Sequence, residues 1–270
     1  MNIVNNILRI LEEQRGFTPR KTPPKNIKNI LGQIELFEMY PKIYALVIKD
    51  DKLRARVFMR YQEFYESDSD SFRGQGFKWQ DYVKFYKEKT KKDYFSYHED
   101  WAGYNVPCTS IESCIAKIPD VNFYDLIMFS VVDTIKSKVG GDNYYLIGID
   151  QSTGDDPSLI FHEVAHGLWF VNPVYKSNQF RNIERMEPRV RNVVAKKITG
   201  MGYGENVVDD EIQAYLSTGI GDEMKRIKGI KEAQIPFKDT FDEYSTQIKP
   251  KQIPIDWRTD LDKWWNLYPY

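Results

Sequence analysis

Along the chain the apolar positions fall into blocks of different period, and each block predicts an element. Residues 1–13 place Ile3, Val4, Ile7, Leu8, Ile10 and Leu11 at helical spacing, which predicts an amphipathic first helix. Residues 14–30 are basic, contain Thr22-Pro23-Pro24, and read as a linker or surface loop. The uninterrupted apolar run 43–48 predicts a strand. Beyond Lys49-Asp50-Asp51-Lys52, residues Leu53, Ala55, Val57, Met59 and Tyr61 alternate largely with arginines and predict the second strand of a hairpin. The same stretch also fits helical spacing through Leu53, Val57, Tyr61 and Phe64.

Farther on, residues 67–75 form a polar, glycine-bearing loop, and 79–91 predict a helix with a solvated lysine face. Residues 124–137 predict a core helix ended by Gly140-Gly141, and 144–149 a strand. Asp156-Pro157 and Asn172-Pro173 punctuate a helix over about 157–171, whose apolar residues Ile160, Phe161, Val164, Ala165, Leu168 and Trp169 form its buried stripe. A long basic helix over about 178–199 is followed by Gly200, Gly202 and Gly204, then by a helix over 206–216 capped by Asn206. The last stretch, 257–270, is crowded with rings, including Trp257, Trp264 and Trp265, of a kind that docks on its own domain or lies in a cleft.

One buried stripe carries chemistry. The chain has only three histidines, and two of them stand four residues apart in Phe161-His162-Glu163-Val164-Ala165-His166-Gly167. On a helix His162 and His166 share a face and can reach one metal ion, while Glu163 stands about 100° round, beside the water such an ion would activate. Glu163 is the one charged residue between Ser158 and Asn172, as suits a motif pushed into a protein interior. The competing reading is a buried helix whose histidines only bond to neighbours. Downstream, a buried acid is a candidate to join them. Val208, Ile212, Tyr215 and Leu216 place Glu211 on or beside a buried face, where a carboxylate wants a partner that a metal supplies. Asp210 is the second candidate, and His98, in the polar and aromatic loop 98–107, is a spare ligand or a hydrogen-bonded loop histidine. Asp209 and Asp210 also suit the first turn of a helix on electrostatic grounds alone. Tyr215, one turn beyond Glu211, and Tyr203 are candidates to polarise a substrate carbonyl.

The H-E-x-x-H helix, its uncharged flanks and the strand before it resemble the active-site region of the zincin metallopeptidases, over about 75 residues. That resemblance implies His162 and His166 as ligands of Zn2+, Glu163 as general base, and a preceding strand forming the sheet edge along the substrate cleft, a place that 144–149 suits. The metzincin branch would need glycine at 169 and histidine at 172, where this chain has Trp169 and Asn172, which excludes it. The gluzincin branch, with a glutamate on a later helix, implies Glu211. Several of its members carry an acidic residue four positions after that glutamate to orient a histidine. This chain has Tyr215 there, leaving Asp209 or Asp210 for the role.

Composition bounds the rest. With 270 residues, 41% hydrophobic and 14% aromatic, the chain can bury a sizeable core, and its net charge of -1 gives no reason to expect nucleic acid or an anionic membrane as partner. No run reaches membrane-spanning length and no leader is evident, so a cytoplasmic protein is expected. Cys108 and Cys114 are expected as free thiols. The expected architecture is α+β and zincin-like: an N-terminal helix and linker over 1–40, an upper lobe with a twisted mixed sheet and the metal helix over 41–172, and a helical lower lobe over 173–270. The expected function is zinc-dependent hydrolysis of peptide or protein substrates. The alternatives are a non-catalytic interaction or structural protein on the same scaffold, and hydrolysis of a non-peptide amide.

Overall fold

The computed structural model describes residues 27–101, 103–139, 143–150, 157–221 and 224–257. The predicted helix over 1–13, most of the linker, Gly140-Gly141, Asp156 and all but the first residue of the aromatic tail lie outside them. The chain is α+β, mostly helical, around one mixed sheet. In order it runs α1 (Ile27–Leu31), β1 (Ile34–Tyr40), β2 (Ile43–Ile48), α2 (Asp51–Glu66), α3 (Trp79–Thr90), α4 (Tyr97–Asp100), β3 (Tyr104–Pro107), α5 (Cys108–Ile115), α6 (Phe123–Val139) and β4 (Tyr145–Ile149). Then come α7 (Pro157–Val171), α8 (Pro173–Arg185), α9 (Pro188–Gly200), a 3-10 turn (Glu205–Val207), α10 (Val208–Thr218), α11 (Ile230–Ser245) and β5 (Lys251–Ile253).

The sheet order is β3-β4-β2-β1-β5. β1 and β2 form an antiparallel hairpin that turns at Lys42, in the left-handed region at φ 72°. β2 and β4 run parallel, and β3 and β5 close the two edges antiparallel to their neighbours. One sheet thus takes strands from all three predicted segments, β1 from 1–40 and β5 from 173–270 included.

β2 and β4 are buried at every position, so they are covered on both faces, and their period of two divides them between two cores. Tyr44, Leu46, Ile48 and Leu146 face the core built with α2, α5 and α6. Ile43, Ala45, Val47, Ile147 and Ile149 face the core built with α7 to α11. Close approach is needed at two glycines. A Cβ on Gly148 would stand 2.5 Å from the Phe58 ring of α2, and one on Gly167 of α7 would stand 2.8 Å from the Ile43 side chain of β2. Gly148→Ala is therefore expected to overpack the first core and cost about 1–3 kcal/mol, read as a lower denaturant midpoint at unchanged slope. An unchanged midpoint would mean that Phe58 moves aside freely.

Four expectations are corrected. Residues 53–61 are helix, not strand: Asp50 caps α2 by accepting the Leu53 N–H at 2.8 Å, and the hairpin partner of β2 precedes it. The arginines that mimicked a polar strand face mislead because Arg54 and Arg60 are buried. Arg54 pairs with Asp51 at 2.8 Å, and Arg60 with Asp120 at 2.9 Å and Asp125 at 3.3 Å. Strand 145–149 is interior, and the sheet edge on its side is β3. The basic stretch 178–199 is not one helix. Asn172 caps α8 through Val174 and Tyr175, and Glu187-Pro188 ends that run and starts α9, the Glu187 carboxylate accepting the N–H groups of Arg189 and Val190. Asn206 does not cap α10, because it lies inside the 3-10 turn and no side chain caps that helix. Cys108 and Cys114 are both buried and form no disulfide.

Candidate metal centre

Helix α7 lies against the sheet through Val164, Ala165, Leu168 and the bare Gly167, and that contact aims His162 and His166 away from the strands. Helix α10 crosses beside it, anchored by Ile212, Ala214 and Leu216, and delivers Glu211 to the same point. The Nε2 atoms of His162 and His166 are 3.3 Å apart, and the Glu211 carboxylate lies 3.9 Å from the first and 3.6 Å from the second. Two donors each about 2.0–2.1 Å from a tetrahedral ion stand about 3.4 Å apart. The two imidazoles already have that separation, and among the described residues these three form the one group of donors within 4.8 Å of one another.

The surroundings orient the donors. Asp210 Oδ1 lies 2.9 Å from His166 Nδ1, which turns the other ring nitrogen toward Glu211. Gln213 donates to the same Asp210 oxygen at 2.9 Å and accepts from the Tyr175 hydroxyl at 2.8 Å, and Gln179 donates to that hydroxyl at 3.0 Å. Tyr175, Gln179 and Gln213 are fully buried, so Asp210 rests on a polar frame joining α10 to α8. Thr218 approaches His162 Nδ1 at 3.5 Å, and the Tyr215 ring meets the His162 ring edge-on at 4.7 Å.

Charges crowd this small volume. For His166, burial favours the neutral ring, but Asp210 and Glu211 overcome it and push the pKa up to about 10. His162 is held well below the usual range by burial and by the His166 charge. Burial raises Glu211, with Glu66, Asp210 and Glu163 adding repulsion against the attraction of His166. Burial likewise raises Glu163. Glu163 is 5% exposed, it takes a hydrogen bond from the Asn105 side chain, and its Oε2 has no hydrogen-bond partner. A Cβ on Gly103 would stand 2.6 Å from Glu163 Oε1, so the loop before β3 comes as close to that carboxylate as glycine allows.

Beside the three donors opens a cleft of about 800 Å³, walled by the C-terminal end of α2, part of α3, β3 and the stretch 201–203, with Tyr203 and Tyr215 among its lining residues. Tyr203 is hydrogen-bonded to Tyr215. The structure thus gathers His162, Glu163, His166, Glu211, Asp210, Tyr203 and Tyr215. His98 stays apart, in α4, with Glu99 at 3.8 Å as its charged neighbour. Three contributors escaped sequence reasoning. Glu66 and Gln62 sit in the stretch beyond the misread strand, and Asn105, although the loop around it is conspicuously polar, has no residue-type signature of its role. Compared with family models, with curated proteins and with solved structures, the chain matches none.

Proposed function

We propose that the chain is a zinc-dependent metallopeptidase of zincin-like architecture, its metal helix lying under a mixed sheet with an antiparallel edge strand beside the cleft. The observation that carries this reading is the donor triad itself: two imidazoles at the separation a tetrahedral ion requires and a carboxylate from the neighbouring helix 3.6 and 3.9 Å from them, with a second buried carboxylate beside them that has one oxygen unpartnered. Two neutral imidazoles and a carboxylate suit zinc, and three protein ligands rather than four are the mark of a catalytic site. Zinc at His162, His166 and Glu211 would supply Lewis acidity toward a carbonyl and lower the pKa of a water to about 7.

The chain's own residues do the rest. Glu163 Oε2 receives the proton of the attacking water, and burial keeps that carboxylate more basic than an exposed glutamate. Asp210 holds His166 through Nδ1, leaving Nε2 as the donor. Tyr215 and Tyr203, which line the cleft and are hydrogen-bonded to each other, are candidates to donate to a polarised carbonyl. A purely structural metal would use the histidines and leave Glu163 idle, and a buried carboxylate oxygen without a partner is costly unless it has such a task. No helix among the described residues is long and apolar enough to cross a membrane.

Elemental analysis after zinc loading, with cleavage of a mixed peptide library, tests the reading: one zinc per chain and cleavage lost on chelation are expected, and metal-free protein after reconstitution would sink it. Asp210→Ala is expected to weaken zinc binding about 10–100-fold, the usual effect of losing a partner that orients a ligand. Chelator competition measures it, and an affinity equal to wild type would leave Asp210 a helix-terminus acid only.

A further inference from the structure

We propose that Glu66 forms a cation-binding subsite beside the candidate metal centre, receiving a primary ammonium or a guanidinium of the substrate. The inference rests on the metallopeptidase reading of the cleft and names its substrate class: peptides with lysine, arginine or a free amino terminus near the scissile bond.

The other acids of the cleft are already engaged. Glu63 accepts the Tyr97 hydroxyl at 2.6 Å, Asp68 pairs with Lys89 at 2.6 Å, and Asp100 accepts from the Tyr86 hydroxyl at 2.8 Å. Glu163 and Glu211 are assigned to the water and the metal. Glu66 remains, lining the same cavity, with the Gln62 amide as its one hydrogen-bond donor and no ion pair among the described residues. Lys89 is the one lysine or arginine in the described walls, and Asp68 occupies it.

The position is unfavourable for the helix that carries it. Glu66 is the last residue of α2 and Glu63 lies one turn back, where the peptide dipoles present their negative end, and the last turn of α2 contains no basic residue. Acids there oppose the helix dipole, whereas a cation is stabilised by the carboxylate and by the terminal carbonyls together. Local rules broken without a structural gain concentrate at functional sites. Burial raises the Glu66 pKa to about 8 in spite of the attraction of His166 and the Gln62 hydrogen bond, with Glu63 and Glu163 adding repulsion, and a cation from the ligand relieves that cost.

The subsite is also indexed to the proposed chemistry. The Asn105 N–H donates to Gln62 Oε1 at 3.1 Å, which turns the Gln62 amide nitrogen toward Glu66, while the Asn105 side chain bonds Glu163. Edge strand β3 therefore ties Glu66 to the proposed base, so a cation on Glu66 sets where a bound chain crosses the centre.

The test uses zinc-loaded full-length protein and matched peptides carrying lysine, arginine, norleucine or glutamate at each position around the cleaved bond, with free or acetylated amino termini. Wild type is expected to prefer a cation at one position by about 10–100-fold in kcat/KM, the range for a hydrogen bond to a charged group. Glu66→Gln should bring that ratio close to 1, and Glu66→Asp should restore part of it. Loss of the preference on acetylation alone identifies the amino terminus, and loss with norleucine alone identifies a side chain. Calorimetric binding of the same peptides to Glu163→Gln protein reads the preference without cleavage. If wild type cleaves nothing yet binds cationic peptides through Glu66, the peptidase reading falls and the subsite stands. Equal binding of lysine, norleucine and glutamate peptides by wild type, or a preference that Glu66→Gln leaves intact, overturns the subsite.

Discussion

Glu163→Gln is expected to lower kcat/KM on a cleaved peptide by at least ~10²-fold while folding and zinc content stay at wild-type levels, because a positioned general base contributes about 10²–10⁴-fold. Glutamine retains the length of the side chain and can still meet the Asn105 side chain, which now bonds this carboxylate. It cannot take a proton. The substitution also removes a buried negative charge from the neighbourhood of Glu211 and Asp210, so thermal stability of the metal-free protein is expected to hold or rise. The two readouts separate the possible roles of Glu163. A fall in activity with intact zinc binding and melting temperature identifies the base, whereas a parallel fall in zinc affinity would make Glu163 part of the framework that holds the donors. Activity within a factor of a few of wild type would remove the base from the mechanism, and the peptidase reading with it.

What the sequence makes legible follows from what each residue type advertises. His162, Glu163 and His166 are readable because helical periodicity alone places two donors on one face, and Glu211 because an acid on an apolar helix face needs a reason. Asp210 is readable only as one of two neighbouring acids, since the choice between Asp209 and Asp210 depends on the rotation of α10 against α7. Packing fixes that rotation, and it puts Asp210 at 2.9 Å from His166 while Asp209 stays at the surface near Arg191 at 3.7 Å. The strand predicted over 53–61 fails because polarity is a poor guide to burial when arginines are paired. Arg60 is 1% exposed and held by two aspartates more than fifty residues away, which no local pattern contains. Edge and interior strands are likewise indistinguishable locally. β3 has only four residues, and its place beside β4 is set by pairing with a strand about forty residues later.

Glu66 and Asn105 are invisible for a related reason. Each has an ordinary polar side chain in an ordinary sequence context, and each becomes informative only through a partner far along the chain. The Gln62 amide couples them, and its orientation is decided by a backbone N–H of the edge strand rather than by anything in α2. The link from Glu66 through Gln62 to Asn105 is therefore a tertiary property, while the H-E-x-x-H pattern is a property of one helix.

Glu211→Gln is expected to weaken zinc binding by more than ~10²-fold, beyond the effect of losing an outer partner, because it replaces the single anionic donor of the triad. The same substitution should change how stability depends on pH. In the metal-free protein the Glu211 and His166 pKa values are both raised, the latter to about 10, so at these two groups the folded state binds more protons than the unfolded chain, while His162, held low, binds fewer below its unfolded value near 6.5. The His166 contribution is fully present below its unfolded value near 6.5 and is lost as pH rises through about 10. The ionisation of Glu211, buried among Glu66, Asp210 and Glu163, costs stability as pH rises above its unfolded value near 4.3. Above about pH 6.5, where His162 is neutral in both states, metal-free wild type should thus lose stability as pH rises, and Glu211→Gln should lose less. Zinc inverts the dependence, because it binds only after displacing those protons: its affinity for wild type should rise at least about tenfold per pH unit between about pH 6 and 8. At zinc about 1,000-fold above its dissociation constant the linkage stabilises wild type by about 4 kcal/mol, or roughly 8–15 °C in melting temperature. In Glu211→Gln that rise should all but vanish, although the metal-free variant melts at or above the metal-free wild type. Thermal scans with and without zinc at two pH values measure each of these quantities, and a zinc-induced rise in Glu211→Gln equal to that of wild type would place the third ligand elsewhere.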